Sequence, residues 1–160
     1  DIELRQLEKM ALDNEVAVAI IPNFAIGAVL MMKMAQEAAR YFPDVEIIET
    51  HHNQKIDAPS GTALKTAEMI MAANPRHPGP NWDLVKLAGV RGGDVDGIRI
   101  HSVRLPGFVA HQEVIFGGVG QSLTIRHDSY DRVGFMPGVV MTVKKIMGLK
   151  GLIYGLEQIM

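Results

Sequence analysis

Apolar residues recur at helical spacing along the first dozen positions, with Leu4, Leu7, Ala11 and Leu12 set between polar residues. Asn14 ends the pattern, so the spacing predicts an amphipathic helix over residues 2–13. The pattern then changes to a continuous run of small and β-branched apolar side chains over residues 16–21. That is the mark of a strand covered on both faces in a parallel α/β sheet. Beyond Pro22-Asn23, the residues Ile26, Val29, Leu30, Met34, Ala38 and Tyr41 form one face of a long helix that Pro43 terminates, and residues 45–50 make the next strand. Pro22-Asn23 breaks the apolar stretch 16–32 near its middle. A membrane span needs about 20 apolar residues, so the stretch reads as strand, turn and helix, with no membrane partner.

A polar loop over 51–59 leads to Ser60, a helix N-cap for a segment whose apolar positions are Leu64, Ala67, Ile70 and Met71 and which Asn74-Pro75 stops. Residues 76–80 read as a surface connection. Strand-like segments follow at 97–105, 109–116 and 122–129, separated by Pro106-Gly107 and by a Gly-rich turn, and they predict an antiparallel meander. On the middle segment one face carries Val109, His111, Glu113 and Ile115 and the other Ala110, Gln112, Val114 and Phe116. Neither face is cleanly polar, so the expectation is helices on one side and a second copy of the chain on the other. A last helix over 136–147 has Pro137 in its first turn, apolar Val139, Val140, Val143 and Ile146, and Gly148 after its end. The fold class expected is α+β, with a mixed β-sheet covered by helices on one face.

Composition narrows the function. The chain has 160 residues, 48% hydrophobic and 21% charged, an ordinary globular balance for one domain or one and a part. Sixteen Lys+Arg against 18 Asp+Glu give a net charge of -2, so there is no broad positive field for a phosphate backbone, and nucleic acid is not an expected partner. Cysteine is absent, which excludes disulfides, thiolate catalysis and Cys-based zinc sites and allows a cytoplasmic location. The chain opens Asp1-Ile2-Glu3-Leu4-Arg5, with no signal-peptide pattern, and reads as an internal piece of a longer protein.

The densest chemistry runs from His51 to Ala63, where His51, His52 and Lys55 precede the helix start at Ser60-Gly61-Thr62. A helix N-terminus presents free N–H groups and about half a positive charge, so these residues suit a small carboxylate or phosphate. A histidine titrating near neutral pH suits proton donation. An equally simple reading is structural, a paired His at a strand end followed by a capped helix. Adjacent strand histidines point to opposite faces and no carboxylate cluster adjoins them, so no metal is expected.

The run from Glu49 to Ala63 resembles the E-x-H-H-x-x-K-x-D-A-P-S-G-T-A signature of the bacterial dihydrodipicolinate reductases, the 4-hydroxy-tetrahydrodipicolinate reductases of lysine and diaminopimelate biosynthesis. Pro22-Asn23-Phe24-Ala25-Ile26-Gly27, the strand His101-Ser102-Val103-Arg104, and His127 through Arg132 with Phe135 resemble three further segments of that family. The resemblance implies a reductase transferring a hydride from NADPH or NADH to a cyclic dicarboxylate imine. It implies His51 as the proton donor with Lys55 assisting. His52, Lys55, Ser60, Gly61 and Thr62 would hold the dicarboxylate, and Ile21, Pro22, Asn23 and Phe24 would meet the nicotinamide. It also implies a homotetramer.

The domains expected are residues 1–24 as the end of a Rossmann-type dinucleotide-binding half, 25–131 as a substrate-binding and oligomerisation domain, and 132–160 as a helical segment returning toward that half. The Gly-rich strand-turn-helix that opens this family has no counterpart here, so the main cofactor site is expected to be missing and the chain inactive alone. Leu105-Pro106-Gly107 and Ala110-His111-Gln112 depart from the family pattern, and His111 is expected to be a sheet or interface residue. The alternatives are a non-catalytic dicarboxylate-binding or oligomerisation module and another Rossmann-linked dehydrogenase.

Overall fold

A computed structural model describes residues 2–75 and 84–160. The connection expected over 76–80 lies outside the described residues. The chain divides into two compact units, one of residues 1–29 with 132–160 and the other of residues 30–131.

In the first unit, helix α1 (Ile2–Asp13) leads into strand β1 (Ala17–Ile20). β1 pairs in parallel with β7 (Gly151–Tyr154), a strand the apolar pattern does not announce. Every residue of β1 is half-buried in this chain, and its parallel pairing agrees with the expected sheet type. Helix α4 (Met136–Ile146) starts with Pro137 in its first turn as expected, but its buried positions are Gly138 and Thr142, while Val140 and Val143 are exposed.

Helix α2 (Ile26–Ala38) crosses from the first unit to the second. Its buried side chains are Ala28, Val29, Met31, Met32, Ala35 and Ala38, whereas Leu30, Met34 and Tyr41, assigned to the inner face by spacing, are exposed. The helix is apolar on more than one side, so hydropathy by itself does not mark the side that is buried.

The second unit is built on a five-stranded sheet ordered β3-β4-β2-β5-β6, with β2 (Asp44–His51) at its centre. Helix α3 (Gly61–Ala73) follows, capped by Ser60, whose hydroxyl oxygen accepts from Ala63 N–H. Then come β3 (Gly93–Val95), β4 (Ile98–Arg104), β5 (Ala110–Gly118) and β6 (Gln121–Ser129). β4 pairs in parallel with β2, and β5 pairs antiparallel with both β2 and β6. The meander expected over three strands is therefore a hairpin of two. β2 lies between β4 and β5, and the Pro106-Gly107 connection passes over it instead of turning tightly. A parallel partner needs a long crossover, which α3 supplies.

One face of this sheet is the core, formed by Val45, Ile47, Ile98, Ile100, Val114 and Phe116, all buried. Helix α3 packs there, with Gln112 donating to the Thr66 hydroxyl, and Phe42 meets Phe116 with ring centroids 6.0 Å apart. In α3 the buried residues are Ala63, Thr66, Ala67 and Ile70, while Leu64 is exposed.

Candidate functional site

Side chains alternate along β2, so Val45, Ile47 and Glu49 point to the core face with His51 at the strand end. Glu49 thereby becomes a carboxylate with 0% exposure in line with two core residues. Such a charge is expensive unless it is paired and hydrogen-bonded. Arg104 at the end of β4, level with His51 in the ladder, donates to both Glu49 oxygens at 2.9 and 2.7 Å. The backbone N–H of Ser60 reaches the same carboxylate at 3.3 Å, and His51 Nδ1 lies 2.5 Å from Glu49 Oε2. Burial opposes ionisation of this carboxyl, yet hydrogen bonds from His51, Arg104 and Ser102 and the charge of Arg104 outweigh it and lower the pKa to about 2.

The loop between β2 and α3 is tied to the same pair. Arg104 also donates to the Asp57 carbonyl at 2.8 Å, and Lys55 N–H closes a turn onto the His52 carbonyl at 3.2 Å. Lys55 Nζ meets both oxygens of Asp57 at 2.6 and 2.8 Å, a pairing sequence reasoning did not weigh, and the ammonium holds that carboxyl below its usual range. His52 Nδ1 is buried with no hydrogen-bond partner among the described residues.

Across the loop, α3 presents its first turn. Ser60 is buried with its hydroxyl used in the cap, Thr62 is half-buried, and a Cβ built on Gly61 would meet nothing within 4 Å. The Thr62 carbonyl accepts from Thr66, which in turn accepts from Gln112, so the turn is fixed to the sheet by buried hydrogen bonds. Open space over Gly61 at a capped helix start, with His51, His52 and Lys55 on the loop before it, suits a small anion.

His51, His52, Lys55, Ser60, Gly61 and Thr62 thus belong to one loop and helix start of the second unit. Ile21, Pro22, Asn23 and Phe24 belong to the first unit. There Asn23 Oδ1 accepts from Ala25 N–H at 2.9 Å, and Gly138 of α4 sits so close that a Cβ would lie 2.1 Å from the Phe24 carbonyl oxygen. Sequence reasoning attached no chemistry to Glu49 or Arg104. The alternation that aligns Glu49 with Val45 and Ile47 is the signal that finds the first, and no local signal finds the second.

His111 lies on β5 on the opposite face of the sheet from His51, since it pairs with Thr50. It contacts Asp128 at 2.6 Å and carries Phe108 and Tyr130 edge-on at 5.1 and 5.5 Å. Among the described residues no group of three or more His, Asp or Glu side chains could hold a metal ion, and no helix is long and apolar enough to cross a membrane.

Residues 27–160 match the family described as dihydrodipicolinate reductase, C-terminus. The chain is 66% identical to 4-hydroxy-tetrahydrodipicolinate reductase of Syntrophomonas wolfei over 100% of its own length and 60% of that protein. It is 61% identical to the reductase of the same name from Geobacillus kaustophilus over 99% and 60%. A solved structure described as dipicolinate-bound dihydrodipicolinate reductase from Paenisporosarcina sp. TG-14 is similar with a TM-score of 0.92 and 56% identity, covering 100% of this chain and 61% of that one.

Proposed function

The chain belongs to the family of the dihydrodipicolinate reductase C-terminus, and from that membership we propose that it is the substrate-binding part of a 4-hydroxy-tetrahydrodipicolinate reductase acting in lysine and diaminopimelate biosynthesis. It spans about 60% of the length of the curated relatives it matches. In this reading residues 25–131 form the substrate and oligomerisation domain, and residues 1–24 and 132–160 belong with a dinucleotide-binding half. The enzyme is cytoplasmic.

One observation carries the proposal. The loop carrying His51, His52 and Lys55 leads into the capped first turn of α3 with open space over Gly61, and the similar solved reductase is described as bound to dipicolinate, a small aromatic dicarboxylate. His52, Lys55, Ser60, Gly61 and Thr62 hold the substrate carboxylates. Turn residues Ile21, Pro22, Asn23 and Phe24, with Pro22 exposed and the others half-buried, fit a flat, partly apolar nicotinamide ring of NADPH or NADH. When bound, that cofactor supplies the hydride. Hydride addition pushes an electron pair along the conjugated imine, and a proton from His51, with Lys55 as second donor, quenches the charge.

Calorimetry with dipicolinate and this chain tests the binding part. Weak binding is expected, reduced in Lys55→Ala and Thr62→Ala, and binding undiminished in both variants would remove the loop from the site. Substrate-dependent oxidation of NADH and NADPH by the full-length protein tests the reaction and separates it from a non-catalytic binding module.

We also propose a homotetramer formed through the face of the sheet that the helices leave open. Half-buried Ile48, Val103 and Ile115 lie there among ion pairs. Light scattering after size exclusion at micromolar concentration should give a multiple of 17.5 kDa, and a stable monomer would overturn the assignment.

A further inference from the structure

Glu49 sits where four donors from three elements converge: both terminal nitrogens of Arg104 at the end of β4, the Ser60 N–H at the cap of α3, and His51 Nδ1 two residues along β2. A bidentate guanidinium engages each oxygen once, and the Ser60 N–H and His51 Nδ1 meet the lone pairs that remain. The histidine is a further constraint. Its ring is on the same face two residues away, and its side chain retains 15% exposure while Glu49 has none. The imidazole therefore turns Nδ1 inward and leaves Nε2 as the nitrogen that can exchange a proton with anything outside.

We propose that Glu49, itself anchored by Arg104, is a positioning residue for the reaction: it fixes the ring orientation and tautomer of His51 so that Nε2 delivers the proton. This rests on the proton-donor role given to His51 above. Before the step the imidazolium bears hydrogen on both nitrogens. The Nε2–H bond breaks, its proton completes the new bond on the substrate, and the neutral ring keeps Nδ1–H against Glu49. Glu49 stays ionised throughout because Arg104 and the Ser60 N–H hold its charge, so it orients the ring without taking the proton.

The test has two arms on the full-length protein. Nitrogen-15 NMR of imidazole-labelled wild type, at a pH where His51 is neutral, should show Nδ1 protonated and Nε2 bare. The opposite tautomer overturns the proposal, and this arm needs no turnover. In kinetics, Glu49→Gln should lower kcat by at least about tenfold with little change in KM. In a His51→Gln background the same change should lower kcat no further. An equal loss in both backgrounds would show that Glu49 acts only on structure. Absence of any reductase activity would sink the functional reading while the spectrum still decides the tautomer.

Discussion

The sheet of the second unit carries the same three side-chain types on both faces, with different surroundings. On the core face Glu49, His51 and Arg104 form a set whose carboxylate has no exposure. On the open face Asp128, His111 and Arg126 form another, with Arg126 49% exposed and reaching Glu113 as well. Both carboxylates are held below their usual range, Glu49 against the opposition of burial and Asp128 chiefly by hydrogen bonding from Arg126. The chemistry of the groups is therefore not what separates a candidate reaction site from an ion-pair cluster. Burial separates them, together with which histidine keeps a ring nitrogen outside its hydrogen bonds. His111 spends Nε2 accepting from the Val109 N–H at 3.4 Å, whereas His51 Nε2 has no such bond among the described residues.

Replacing each histidine breaks the comparison most sharply. A positioned general acid contributes about 10²–10⁴-fold, so His51→Gln should lower kcat of the full-length enzyme by that order with a modest change in KM. His111→Gln should leave kcat within a few-fold. A larger loss at His111 than at His51, in steady-state assays, would reverse the roles given to the two faces.

The arginines come next. Arg104→Met strands a fully buried carboxylate and should destabilise the fold by about 3–5 kcal/mol in urea unfolding, independent of protein concentration. Arg126→Met should instead act through assembly, with a smaller effect that fades on dilution. Matching losses from the two variants would mean that burial does not govern these clusters.

Acid sharpens the same contrast. Glu49 is depressed in the folded state, so its stabilising contribution is complete above its ordinary value of 4.5 and is lost as pH falls toward about 2. Carboxyl carbon NMR should show Glu49 still ionised when exposed carboxylates have titrated. The mildest perturbation is salt. At about 1 M the screening length is roughly 3 Å, which should raise the Asp57 pKa toward the ordinary carboxylate range by weakening its exposed pairing with Lys55. Glu49 should barely move, and an equal shift in both would contradict its burial.

Several elements were legible along the chain because their causes are local. Asn14 after α1, Ser60 before α3, Asn74-Pro75 after it and Pro137 in α4 mark helix ends through capping and ring geometry within a turn of the residue. The loop from His51 to Thr62 was legible for the same reason, since its ligand-like groups are neighbours in sequence. The buried face of α2 is not legible in the same way, because Leu30 and Met34 look like core residues by hydropathy while the side turned to the interior carries Ala28, Met31, Met32 and Ala35.

The sequence by itself thus determined most of the element types, the α+β class, the family, and the grouping of His51, His52, Lys55, Ser60, Gly61 and Thr62 on one loop and helix start. Only the tertiary structure decided that β4 lies parallel beside β2, that β7 joins β1, and that Arg104 meets Glu49 across 55 positions of chain. Strand partners depend on which faces can be buried together, and that is a property of the whole sheet. A run such as residues 98–104 has the same periodicity beside any neighbour. The pairing that places an arginine against a buried carboxylate leaves no trace until the strands are assembled.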